Sequence, residues 1–336
     1  MTVKPKIAVN WAGACGGCDV ALLDSEDQIL SLTDAVEVVY WPVAMDYKRA
    51  DLAAYGTDEI DIGVFNGVIR TEEHRADAEL MRDRCKVLVA FGACAAFGGI
   101  PGLANLASNQ AILDTVYQDT ASTHNPDDVR PQAATTVHGH VLELPELEDR
   151  VLALYQVVEV DVVVPGCPPP PDAVAETIDT VIRYAESGAL PPAGTVLASD
   201  SALCDECPRL ESRTDARMST THRVHSTEVD PELCFHEQGL VCMGLATRGG
   251  CGASCIGVNM PCRGCFGPLP GAFDPAAEAL SAIGSIVGLD HEDGVPPTTR
   301  MAGVRSIRDL AGTFYRFTLP TATIPGAVVD RPQEED

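Results

Sequence analysis

Thirteen cysteines limit what this 336-residue chain can become more than any other feature. In order they are Cys15, Cys18, Cys85, Cys94, Cys167, Cys204, Cys207, Cys234, Cys242, Cys251, Cys255, Cys262 and Cys265. Eight crowd between Cys204 and Cys265, and the others are scattered over the first half. The first strand-like run starts at Ile7, leaving no room for a signal peptide, and no stretch approaches the roughly 18 uninterrupted apolar residues of a membrane span. The expected location is therefore cytoplasmic. Disulfides are rare in that reducing setting, so the thiols are read as metal or redox groups.

Order along the chain gives them places. Apolar runs at 7–11, 36–41, 60–66, 86–91 and 160–165 read as strands, and helical patterns at 19–32, 71–84 and 171–187 lie between them. This alternation predicts an α/β fold with a parallel sheet covered on both faces. In KIAVNWAGACGGCD, Cys15 and Cys18 occupy a glycine-rich turn between the first strand and the first helix. KVLVAFGAC puts Cys94 just past a later strand, and DVVVPGCPPPP does the same for Cys167. Parallel strands end at one edge, where such folds place ligands, so these four thiols converge by topology alone. Cys85 precedes its strand and is expected to pack as a small buried hydrophobe. The 108–141 region reads as a surface excursion with a small hairpin.

After Gly194 the alternation stops, and CDEC, CFHEQGLVC, CGASC and CRGC follow among loops and glycines. Too few apolar runs remain there for an independent core, and such segments are held by metals. Taken in sequence, the eight thiols divide into Cys204, Cys207, Cys234, Cys242 and Cys251, Cys255, Cys262, Cys265. Four thiolates suit either a tetrahedral zinc site or an iron–sulfur cubane. Twelve thiolates without a histidine among them lean toward the softer iron–sulfur chemistry. The net charge of −26 argues against a grip on nucleic acid or an anionic membrane surface. Glycine-rich nucleotide loops, a serine-nucleophile elbow and a zinc-protease helix motif are all missing. His236 is read as a neighbour of a complete thiol set rather than a ligand, and His138 and His140 as surface residues. Arg248, Arg263, Asp205 and Glu206 flank cysteines and are read as solvated.

WAGACGGCDVALLD, VAFGACAAFGGIPGLANL, VPGCPPPP, CFHEQGLVCMGLATRGGCGASC and MPCRGC together resemble the small, electron-transfer subunit of nickel–iron hydrogenases. The similarity is nearest to the cytoplasmic methyl-viologen-reducing branch associated with heterodisulfide reductase. The resemblance implies a flavodoxin-like domain over 1–194, a loop-rich cluster domain over 195–270, and a C-terminal extension over 271–336 that packs on the core or a partner. It also implies three 4Fe–4S clusters: proximal on Cys15, Cys18, Cys94 and Cys167; medial on Cys251, Cys255, Cys262 and Cys265; distal on Cys204, Cys207, Cys234 and Cys242. Cys204 stands where the periplasmic branch has a histidine, and Cys255 where it commonly has a proline. Asn66 stands where many relatives have a glutamate, which puts a proton-relay role for that segment in question. The implied partners are a nickel–iron large subunit and, near the distal cluster, a 2Fe–2S protein or heterodisulfide-reductase-like complex. The alternatives weighed are a relay for a large subunit that lacks nickel and a structural zinc protein. A complex I-type relay is more distant, because there two cysteines are adjacent where Cys15 and Cys18 are separated.

Overall fold

The computed structural model describes residues 4–189, 192–214, 218, 220–287 and 305–323. Ten strands occur among them: β1 (Lys6–Trp11), β2 (Glu37–Tyr40), β3 (Ile60–Asn66), β4 (Ile69–Thr71), β5 (Cys85–Phe91), β6 (Ala134–Val137), β7 (His140–Glu143), β8 (Leu147–Leu152), β9 (Val162–Val164) and β10 (Thr195–Val196). Six form one sheet in the order β10-β9-β5-β3-β1-β2, and every pairing in it is parallel. Counted within that sheet alone, the first five strands run 2-1-3-4-5, the flavodoxin order, with the switch in winding between β1 and β3. The edge strand β10 begins at Thr195, just past the expected domain boundary at 194.

Near-continuous apolar strands are what a doubly covered sheet requires. On one face Ile7, Val9, Ile62, Val64, Val89 and Phe91 pack with Leu22, Ile178 and Val181. On the other, Ala8, Phe65 and Leu88 pack with Leu52, Met81 and Leu154. Cys85, first in β5, is fully buried in that second layer, and its thiol is pushed up to about 12 by burial. It takes the small-hydrophobe role expected of it.

The helices follow their punctuation, with one exception. The helix Glu72–Arg84 is capped by Thr71, whose hydroxyl accepts the His74 N–H at 3.2 Å. Pro171–Ser187 starts behind Pro170 and ends at Gly188 with φ 71°. The single helix expected over 19–32 is instead two, Gly17–Leu23 and Asp27–Ala35. The Ser25 hydroxyl donates to the Leu22 carbonyl at 2.7 Å, Glu26 turns to φ 52°, and Asp27 opens a new first turn where an acid is favoured. The expected hairpin is β6–β7, turned by His138 and Gly139, both at positive φ.

Beyond the sheet a second core gathers Leu203, Phe235, Leu240, Met243, Ile256, Ile283 and Phe314 among the cysteine loops. The helix Pro275–Ile286 supplies one wall, with Asp274 accepting from the Ala276 and Ala277 N–H groups. The short helix Leu310–Phe314 supplies another. Phe317 then packs on Ala93, Ala96 and Phe97 of the sheet unit, and the Pro320 carbonyl accepts from Gln156 Nε2 at 2.9 Å. The extension thus clasps both units. The edge strand considered within 304–319 does not occur among the described residues, and the acidic end at 333–336 lies outside them.

Candidate electron-relay site

Three thiol quartets occur where the chain leaves regular structure. The first sits at the carboxyl edge of the sheet. Gly16, at φ 83°, turns the chain from β1 into the helix that carries Cys18. Gly99 lets Cys94 approach closely, since a Cβ there would stand 2.6 Å from the Cys94 Sγ. Cys167 precedes a cis Pro168, and its strand ends at Val164. Burial first, then Cys94, Cys167, Asp19 and Cys15, push the Cys18 thiol far up. Burial, then Cys167 and Cys15, lift Cys94 to about 12. Cys15 and Cys167 are exposed, so this quartet opens to the surface.

The second quartet is Cys204, Cys207, Cys234 and Cys242, which together line one small cavity. Gly244 belongs to its wall, and a Cβ there would meet the Cys204 and Cys242 Sγ atoms at 3.5 and 3.6 Å. Burial and the other three sulfurs raise Cys204 to about 12, while Arg213 pulls it down. Arg209 also lines the cavity. It is buried, stacks on the Phe235 ring at 4.2 Å, and donates to the carbonyls of Asp230, Leu233 and Ile256 and to Asn259 Oδ1. His236 lies in the same wall, with Nε2 3.0 Å from the Cys242 carbonyl oxygen and Nδ1 buried without a partner. It is a neighbour of the sulfurs, as expected.

The third quartet is Cys251, Cys255, Cys262 and Cys265. Cys265 is raised to about 12 by burial and then by Cys251, Cys255 and Cys167. Backbone donors face these sulfurs: Gly264 N–H reaches Cys262 Sγ at 3.4 Å, and the backbone amides of Ala253 and Ser254 pull the Cys251 thiol down against the burial that raises it. Such N–H···S contacts stabilise charge on sulfur and tune any cluster held there. Glu206, read as solvated, instead ties two loops together by accepting from Gly250 N–H at 2.9 Å and Ala253 N–H at 3.3 Å. Arg248 likewise bridges Pro268, Ser199 and Asp200.

The quartets lie in series. Cys167 of the first set is within electrostatic reach of the Cys265 thiol of the third, and the Cys262 N–H donates to Cys242 Sγ of the second at 3.3 Å. Each crowds thiols whose simultaneous ionisation is opposed by burial and mutual repulsion, an environment that a cationic cage would neutralise. Among the described residues, no three Cys, His, Asp or Glu groups are arranged to hold a single metal ion.

Two features escaped sequence reasoning. Asp19 is fully buried beside Cys18, accepting from Trp41 Nε1 and Asn66 Nδ2, each at 2.9 Å. The acid directly after C-x2-C was the available signal. Arg209 had a weaker one, the Pro-Arg that follows Cys207.

The family described as "NADH ubiquinone oxidoreductase, 20 Kd subunit" matches residues 15–181, the span that holds the first quartet. The iron-sulfur subunit of an F420-non-reducing hydrogenase from Archaeoglobus profundus is 38% identical over 323 residues, covering 95% of this chain and 97% of that protein. A subunit of the F420-non-reducing hydrogenase of Methanothermobacter marburgensis is 34% identical over 326 residues, covering 97% of each. In fold, a chain of the NiFeSe hydrogenase from Desulfovibrio vulgaris Hildenborough superposes with a TM-score of 0.51 at 18% identity, covering 80% of this chain and 95% of that one.

Proposed function

This chain belongs to the family of F420-non-reducing hydrogenase iron–sulfur subunits, the small subunits of nickel–iron hydrogenases, and we propose that it carries three 4Fe–4S clusters in line. They relay electrons between a nickel–iron large subunit and a downstream acceptor. The proximal cluster is held by Cys15, Cys18, Cys94 and Cys167, the medial by Cys251, Cys255, Cys262 and Cys265, and the distal by Cys204, Cys207, Cys234 and Cys242. The observation that carries the reading is the serial proximity of the quartets, from Cys167 through Cys265 to Cys262 and Cys242. When bound, such clusters supply one-electron chemistry at potentials from roughly −700 to +450 mV.

The chain's own residues set conditions at each step. The Asp19 carboxylate lies against Cys18, which favours the oxidised state of a cluster there. Arg209 and Arg213 offset the thiolates of the Cys204 quartet. Backbone N–H groups of Gly17, Cys262 and Gly264 donate to Cys15, Cys242 and Cys262. The exposed edge at Cys15 and Cys167 has Trp11, Val20 and Leu23 exposed on the adjoining strand and helix, an apolar surface suited to the large subunit.

Anaerobic purification with co-purifying chains identified and metals counted tests this. Nickel with about twelve irons per copy of the chain is expected, at four per cubane. Zinc in place of iron overturns the cluster reading, and iron without nickel moves the relay to a complex whose large subunit lacks nickel. No helix among the described residues is long and apolar enough to cross a membrane.

A further inference from the structure

One concavity does not match the charge of the molecule around it. It measures about 640 Å³ and is walled by residues 221–226, 240–241, 260, 261, 263, 306–309, 313 and 316. Arg223, Arg263, Arg308 and Arg316 all line it, with His222 and His225, against Asp309 as the one acid among the described residues. Asp309 is already committed, since its carboxylate accepts the Gly312 N–H at 3.0 Å. Among the described residues none of the four arginines has a carboxylate within ion-pair distance, although six other arginines do. Arg263 lies within electrostatic reach of both Arg223 and Arg316. In a chain of net charge −26, four guanidiniums without carboxylate partners around one hollow repel one another. An anionic occupant would relieve that cost.

The place is as telling as the charge. Val241 and Arg263 line the hollow and adjoin Cys242 and Cys262, the two residues joined by the N–H···S contact between the second and third quartets. Met260, exposed, forms part of the wall. Arginine and methionine are both enriched at protein interfaces.

We propose that this arginine hollow is the docking site for an acidic electron-carrier protein, which seats its carboxylates there beside the junction of the second and third quartets. The proposal rests on the relay reading and deepens it. An acidic partner is repelled by most of this molecule, so a local positive hollow sets both where it lands and in what register. Each hydrogen molecule oxidised at the catalytic subunit releases two protons and two electrons, and two one-electron carriers are each reduced once.

The test uses the natively purified complex with its catalytic subunit, under hydrogen, with two acceptors: an acidic 2Fe–2S ferredoxin and methyl viologen. Wild-type complex is expected to reduce both, with the ferredoxin rate falling steeply between about 0.01 M and 1 M salt, where the screening length drops from about 30 to 3 Å. The double substitution R223E/R308E, at two exposed arginines, is expected to slow ferredoxin reduction about tenfold or more at low salt and to spare the dye. The milder R223Q/R308Q pair is expected to give an intermediate loss with full iron content, which keeps the test valid if charge reversal harms folding. Ferredoxin reduction indifferent to salt and to both pairs overturns the proposal. So does tripolyphosphate binding abolished by the substitutions while ferredoxin rates stay level, which marks a small-anion site. A dimer dissolved by the substitutions, with level rates, overturns it in favour of self-association. Failure of wild-type complex to reduce methyl viologen strikes the relay reading instead.

Discussion

The backbone N–H of Cys262 donates to the Sγ of Cys242 at 3.3 Å, so loops of two different thiol quartets share a sulfur contact. Both residues are buried, and the hydrogen bond lowers the Cys242 thiol against a burial effect that leaves it raised to about 11. Together with the electrostatic reach of Cys167 to Cys265, it places three separate quartets in one series. Continuity of this kind is what passing electrons through a protein demands, and scattered structural metals do not require it.

Gly244 tests whether the Cys204 cavity is built for a cage. A methyl group there meets only ordinary contacts with the Cys204 and Cys242 sulfurs, at 3.5 and 3.6 Å. It would occupy space that a cluster needs. Gly244→Ala is expected to leave the apoprotein's melting temperature within about 2 °C, a shift below 1 kcal/mol. Iron should fall from about twelve to about eight per chain, read by metal analysis.

Asp19→Asn replaces an acceptor facing two donors, Trp41 Nε1 and Asn66 Nδ2, with a group that is half donor. The expected loss is roughly 1–3 kcal/mol by denaturant titration. Removing the charge beside Cys18 should also move the proximal potential upward in a redox titration followed by electron paramagnetic resonance. An unchanged potential would leave Asp19 a purely structural residue.

Much of this arrangement was legible in the sequence. Strand ends could be read because a doubly covered parallel sheet writes continuous apolar runs, and Cys94 and Cys167 follow such runs directly. The helix break at Ser25 was not legible, because one hydroxyl turning back to Leu22 outweighs an otherwise helical pattern. Asp19 and Arg209 escaped because their roles depend on partners tens of residues away. Asn66 is separated from Asp19 by 47 residues and Asn259 from Arg209 by 50. Glu206 was read as solvated because its partners are backbone amides, which carry no sequence signature.

Arg209→Met keeps the stack on Phe235 but removes donors from three carbonyls and Asn259. Leaving those acceptors buried should cost on the order of 3 kcal/mol in denaturant titrations. Thiols of the Cys204 quartet should also lose iron faster to a chelator, because a neutralising cation has gone.

Burial holds His236 and His74 below the ordinary histidine range. Both are therefore neutral in the fold, and His74 Nδ1 accepts the Arg70 N–H at 3.3 Å. The unfolded chain takes up these protons near pH 6.5 and the folded chain does so only lower. Stability of the apoprotein is thus full above about pH 6.5 and declines as pH falls below it. Replacing His74 with Gln should flatten that decline in urea titrations between about pH 7 and 5, whereas an unchanged slope would mean other groups carry it.

The central claim is tested most directly by an anaerobic redox titration of the native complex monitored by electron paramagnetic resonance, with iron and sulfide counted on the same sample. Three separately titrating four-iron signals and about twelve irons per copy of this chain are expected. Cys242→Ala should abolish one signal and leave two. A colourless chain holding zinc, or one whose cysteines are paired as disulfides, would contradict the relay.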